Sequence, residues 1–213
     1  MWDDRSGTNW SHLDGLAIQG PLQGMQLEIL PLQTTTWSAW RAQHPDTTVL
    51  DIATGYEGRY REEIRIGGDT LRQGFLDTLD SVDERLPVGE LVIGVLAGTG
   101  AVAFPLTETA DGTVMQAEVD GIPVVVLVDT EGAPSLAYHR ALSDGRVLTF
   151  ERRADGVYDV ETGTRWSGDG VGAAGELVGV QLTFVTSFFT EWYGWAAFHP
   201  ETTIYADGDL IRG

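Results

Sequence analysis

"TTTWSAWRAQHPDTT" spans Thr34–Thr48, and "FTEWYGWAAFHPETT" spans Phe189–Thr203. Both spell Trp-x-x-Trp-x-x-x-His-Pro-acid-Thr-Thr. The first carries it on Trp37, Trp40 and His44, the second on Trp192, Trp195 and His199. The match extends upstream: Asp3–Ser11 lies on Asp159–Ser167, and Asp14–Thr48 lies on Asp169–Thr203, with one gap at Leu13. Twenty positions between Asp3 and Thr48 are identical in the two copies. All seven Trp fall within them, Trp2 standing opposite Tyr158. Self-similarity of this length predicts a structural unit used twice, each copy helping to bury the other.

Within each copy a turn ("RSGT", "ETGT") leads to a short Trp-bearing strand. In "GPLQGMQLEIL" and "GELVGVQLTFV", apolar residues recur near period two, which predicts a strand with one buried face. A short helix follows, with Thr36 or Thr190 as N-cap. The Trp, Trp and His sit at i, i+3 and i+7, one stripe of that helix. Pro45 and Pro200 end it, because the residue before proline avoids the helical region.

Between the copies the chain is Val-rich and broken by Gly-Asp, Asp-Gly and Gly-Thr pairs. "ELVIGVLAG", "GAVAFPL", "TVMQAEV", "IPVVVLVDT", "SLAYHRAL" and "RVLTFERR" read as strands, with "DGIP" and "SDGR" as hairpin turns. Asp69–Pro87 reads either as a helix, from Leu71, Phe75 and Leu79 at spacing four, or as an irregular connection.

The expected fold is α+β and β-dominated, with antiparallel, barrel-like sheets, short helices and an internal pseudo-repeat. Residues 1–213 form one compact domain. Residues 1–51 are the back half of one unit, 52–88 a connection and 89–206 a complete second unit. On this reading a strand edge near residues 1–30 stays exposed, or pairs with another chain or with a missing N-terminal segment.

The chain has 213 residues, 42% of them apolar, enough for a real core. Its net charge is −19, and its thirteen basic residues are all Arg. Such a surface suits high salt, where carboxylate repulsion is screened within about 3 Å at 1 M. Nucleic acid is excluded as a partner by the lack of a basic patch. Membrane insertion is excluded because the longest apolar stretch, near Leu91–Val95, is far too short to span a bilayer. "MWDDRSG" has neither the basic nor the apolar region of a signal peptide. With no Cys, disulfides, thiolate metal sites and Cys nucleophiles are ruled out within the chain.

"DDRSGTNWSHLDGLAIQGPLQGMQLEILPLQTTTWSAWRAQHPDTTVL" resembles the back half of a unit of the DUF3179 family, and "RLPVGELVIGVLAGTGAVAFPL" resembles the start of one. "PVVVLVDTEGAPSLAYHRALSDGRVLTFERRADGVYDVETGTRWSGDG" continues that second unit. The resemblance implies a bacterial or archaeal protein, often exported or lipid-anchored, with no settled activity and a longer parent chain. It also implies Trp-His-Glu, Asn-Asp and Cys-Pro-x-Cys elements in the front half of the first unit, a cluster that looks like a metal or redox site. This chain lacks them: "LTETADGTVMQAEVDG" has no His, and "LVDTEGAPSLAYHR" has no Cys.

The candidate binding residues are therefore His44, His199, Trp37, Trp40, Trp192 and Trp195. No catalytic residue, metal ligand or cofactor is assigned. Each His could be a ligand or acid–base group, or could close a helix and pack on Trp. The Trp could stack sugars or fill a core. The acidic loops "DTEG", "ADGVYDVETG" and "YADGDLIRG" match no calcium-loop template. Three functions stay open: a non-catalytic structural or ligand-binding module, a fragment of a redox or metal enzyme whose active groups lie in an absent N-terminal part, and a carbohydrate-binding module.

Overall fold

A computed structural model describes residues 1–32, 35–60, 73–79, 81–109, 114–128 and 136–212. The chain opens with β1 (Trp2–Asp3), β2 (Thr8–Trp10) and β3 (Ala17–Gln19), then the helix α1 (Trp37–Gln43) and the single turn α2 (Gln73–Leu76). The middle holds β4 (Leu91–Ala97), β5 (Gly100–Pro105), β6 (Met115–Val119), β7 (Ile122–Val126), β8 (Ala137–His139) and β9 (Phe150–Arg153). It continues with β10 (Gly156–Asp159), β11 (Arg165–Trp166), β12 (Gly172–Ala174), β13 (Phe184–Val185) and β14 (Ser187–Glu191). The helix α3 (Trp192–Phe198), β15 (Thr203–Ala206) and β16 (Asp209–Ile211) complete it.

The fold is β-dominated. Four sheets have strand orders β1-β2-β3, β12-β11-β10-β9, β13-β8-β7-β6 and β14-β4-β5-β15-β16. Among the described residues the expected barrel-like closure is absent: the sheets stay open, and strands of two to seven residues are short for the tilt and stagger that closure needs. Among the described strands all pairings are antiparallel except β15 with β5, which is parallel. The six Val-rich segments all supply strands, and their alternation fills the core with Ile93, Val95, Phe104, Met115, Val124 and Val126. Asp120 and Gly121 both have positive φ, the geometry of the two-residue hairpin expected at "DGIP". Among the described residues no helix is long and apolar enough to cross a membrane.

The strand expected over "GPLQGMQLEIL" is corrected, as is its second-copy counterpart except for Phe184–Val185, which form β13. Residues 20–25 and 175–180 are mainly turn, closed by single bridges Leu16–Gln26 and Val171–Gln181. Glycine decides this. Gly20 and Gly175 have φ of 112° and 114°, and a Cβ on either would fall 2.9 or 2.8 Å from the Cα of Thr8 or Thr164. The amide of Leu22 then reaches the Thr8 hydroxyl at 3.4 Å, and that of Leu177 reaches Thr164 at 3.0 Å. The Gln26 side chain donates to the Asp14 carbonyl, as Gln181 does to Asp169. Period-two apolarity here reflects a tight turn pinned by side chains.

The connection also differs from its helical reading. Among the described residues of this segment Gln73–Leu76 is helical and Val82 onward is irregular; Asp69 and Leu71 lie outside the described residues. The loop "DTEG" lies outside them as well.

Candidate functional site

The second Trp-His element is sealed. Helix α3 continues directly from β14 and packs on β14 and β4. Its N-cap is Glu191, without a side-chain cap bond, and Thr190 ends up in the strand instead. Trp192 and Trp195 are fully buried with Leu13, Val92, Ala103, Ala196 and Ile204. Trp195 lies against the strand at Gly94, where any Cβ would overlap Cδ2, Cε3 and Cζ3 of the indole. Both indole N–H groups find acceptors, as burial demands. Trp192 donates to the Asp83 carbonyl at 2.9 Å, and Trp195 donates to the Thr202 hydroxyl at 2.9 Å.

Arg85 clamps this element from outside. It makes a bidentate pair with Asp83, donates to the carbonyls of Thr202 at 2.8 Å and Pro200 at 3.1 Å, and lies 5.3 Å over the Trp192 ring. Asp83 holds its carboxyl below the usual range chiefly through that guanidinium.

His199 closes α3, its amide donating to the Trp195 carbonyl at 2.9 Å and its ring packing at a tilt against Trp195, with centroids 4.3 Å apart. Its Nε2 is buried without a hydrogen bond and faces Oδ1 of Asp14 at 3.5 Å. Burial lowers the His199 pKa below the ordinary 6.5, and the Asp14 charge partly opposes this. The neutral ring is thus the stable form at pH 7.

Asp14 belongs to the first copy. So do His12, edge-on to Phe198 at 5.4 Å, and Leu13, buried among Trp192 and Trp195. The turn of the first copy therefore docks on the helix of the second. In the second copy the matching turn faces Tyr138 instead: the hydroxyl donates to the Gly168 carbonyl, and a Cβ on Gly170 would press on the ring.

A cleft of about 580 Å³ opens beside His199. Glu118, Asp120, Glu201 and Arg212 line it with Thr202. Asp120 is committed to Thr99, accepting from its amide at 2.8 Å and its hydroxyl at 2.9 Å. Among the described residues no three His, Asp or Glu converge as a metal site.

The first Trp-His element has the same internal geometry. Trp40 donates to the Thr47 hydroxyl at 2.9 Å, His44 packs at a tilt against Trp40 with centroids 4.1 Å apart, and the His44 amide donates to the Trp40 carbonyl at 2.8 Å. Its surroundings differ. Trp37 is 50% exposed and Trp40 41% exposed, against 0% for Trp192 and Trp195. The expectation that each copy helps to bury the other is not met at the first stripe: among the described residues no strand packs extensively on α1. Nor does any contact among the described residues join His44 to His199.

The six expected residues thus divide into a sealed set, Trp192, Trp195 and His199, and an open set, Trp37, Trp40 and His44. Arg85, Gly94, Leu13 and Asp14 complete the sealed set, and sequence reading missed them. The signal for Leu13 was present, since it is the one residue without a counterpart in the other copy.

No curated protein and no solved structure matches the chain. A family model described as "Protein of unknown function (DUF3179)" matches residues 1–202. The chain belongs to the DUF3179 family.

Proposed function

We propose that this chain is a non-catalytic structural and binding module that uses one Trp-His element twice, once as a seal and once as a docking face. The supporting observation is the contrast in exposure: Trp37 and Trp40 are half-open where Trp192 and Trp195 are closed. Two indoles on one helix offer large, rigid contact area at little entropic cost, the chemistry of an interface anchor. The net charge of −19 without Lys supports residence in high salt and argues against nucleic acid as the partner.

The double variant Trp37→Ala/Trp40→Ala tests the reading. It is expected to keep the fold and its melting midpoint, as an exposed docking face allows, while Trp192→Ala loses both. Unfolding of the double variant would make the first pair core and end the reading. A second reading, a carbohydrate-binding module, is favoured by Trp2, 64% exposed, together with Trp37 and Trp40. Quenching of Trp emission by soluble oligosaccharides, lost in the double variant, would select it.

A further inference from the structure

We infer that the open face of the first copy docks a polypeptide half-unit with the chemistry of residues 89–157, supplied from outside residues 1–213. The inference rests on the docking-face reading and names its partner. Two separate observations lead to it.

The first is the cover on α3. The same Trp-x-x-Trp-x-x-x-His helix, when sealed, packs on β14 and β4, with Ala103 of β5 in the same buried cluster and Gly94 giving the indole its room. The pattern in β4 is "LVIGVLA", a glycine flanked by buried aliphatics. A side chain at the glycine position would hold the helix off the strand. The face of α1 carries the same two indoles at the same spacing, so it fits the same surface. Strand β4 of these 213 residues is already engaged by α3.

The second observation is the edge of β1. In the second copy β10 lies between β11 and β9, pairing with β9 from Gly156–Arg153 to Asp159–Phe150. In the first copy β1 pairs with β2, and among the described residues no strand lies on its other side. A free strand edge accepts an added strand through main-chain hydrogen bonds. The strand that fills this edge in the second copy and the hairpin that seals its helix both come from one contiguous stretch, residues 91–153. One half-unit therefore satisfies both open surfaces.

The test tethers residues 86–106 of this chain ahead of Met1 of the full chain through a flexible Gly/Ser linker. Fluorine NMR on 5-fluorotryptophan protein reads each ring, with Trp37→Phe and Trp40→Phe assigning the two resonances. Expected is at least a threefold fall in paramagnetic broadening of Trp37 and Trp40 by a soluble probe. Gly94→Leu in the tethered copy alone should abolish that protection. The inference is overturned if both rings stay as accessible as without the tether, or if the Gly94→Leu tether protects equally well. It is also overturned if the untethered chain is already protected and sediments as a dimer, which would make a second copy the occupant. Failure of the tether with Trp37→Ala/Trp40→Ala still folded would remove the hairpin partner and leave the docking face standing.

Discussion

Gly94 and Trp195 form one contact surface: the strand has no side chain where the indole lies against it, and a Cβ there would overlap the ring. Neither partner can give way. The ring is fully buried and its N–H is held by Thr202, and Gly94 sits mid-strand, paired with Phe188 on one side and Ala103 on the other. Gly94→Val is therefore expected to cost about 3 kcal/mol, the upper part of the overpacking range. Urea unfolding of the variant checks this, and a cost under about 1 kcal/mol would mean that the contact is loose.

Trp195→Ala and Trp40→Ala are the same change at matching positions of the two copies. The first empties a fully buried site and removes the N–H that the Thr202 hydroxyl accepts, for an expected loss of about 3–5 kcal/mol. The second removes a ring that is 41% exposed, and should cost no more than about 1 kcal/mol. Equal losses would contradict the division into sealed and open elements.

Leu13 has no counterpart in the second copy, yet it is buried beside Trp192 and Trp195. Leu13→Ala should destabilise by about 2–4 kcal/mol and free the turn of residues 12–14 from α3. Its chemical signature is a change in the environment of His199, read by NMR of the imidazole. An unchanged imidazole would place the hold elsewhere.

Burial lowers the His199 pKa, so the folded state binds fewer protons than the unfolded state below pH 6.5. The stability of the neutral ring is present above pH 6.5 and is lost as pH falls through the window beneath it. His199→Gln should flatten the stability difference between pH 7 and pH 5. Asp14→Asn should steepen it, because the Asp14 charge is what raises the His199 pKa. An unchanged slope on Asp14→Asn would mean that the contact at 3.5 Å carries no coupling.

A net charge of −19 strains the folded state at low ionic strength. Raising NaCl from 0.1 to 1 M shortens the screening length from about 10 to 3 Å. The melting midpoint should rise by roughly 5 °C, a gain of one to two kcal/mol for a chain of this size. A flat midpoint would remove the support from high-salt residence.

Much of the architecture was legible because it is local. Trp, Trp and His at helical spacing before Pro gave both helices, and the Val-rich runs between Asp-Gly pairs gave the strands and the β6–β7 hairpin. What failed was decided at a distance. The alternating apolar residues near Leu22 and Leu177 sit in turns, because glycines at φ near 113° and a threonine hydroxyl fourteen or thirteen residues away outweigh periodicity. The burial of Trp195 depends on Gly94, Leu13 and Ile204, which no spacing within the helix reveals. For the same reason identical stripes on α1 and α3 end up open in one case and sealed in the other.

Hydroxyl-radical footprinting with peptide mapping addresses this contrast directly, since it reads every Trp in one experiment. Rapid oxidation of Trp37 and Trp40, with Trp192 and Trp195 protected until the chain unfolds, is the expected result. Equal protection of the two pairs would contradict the account.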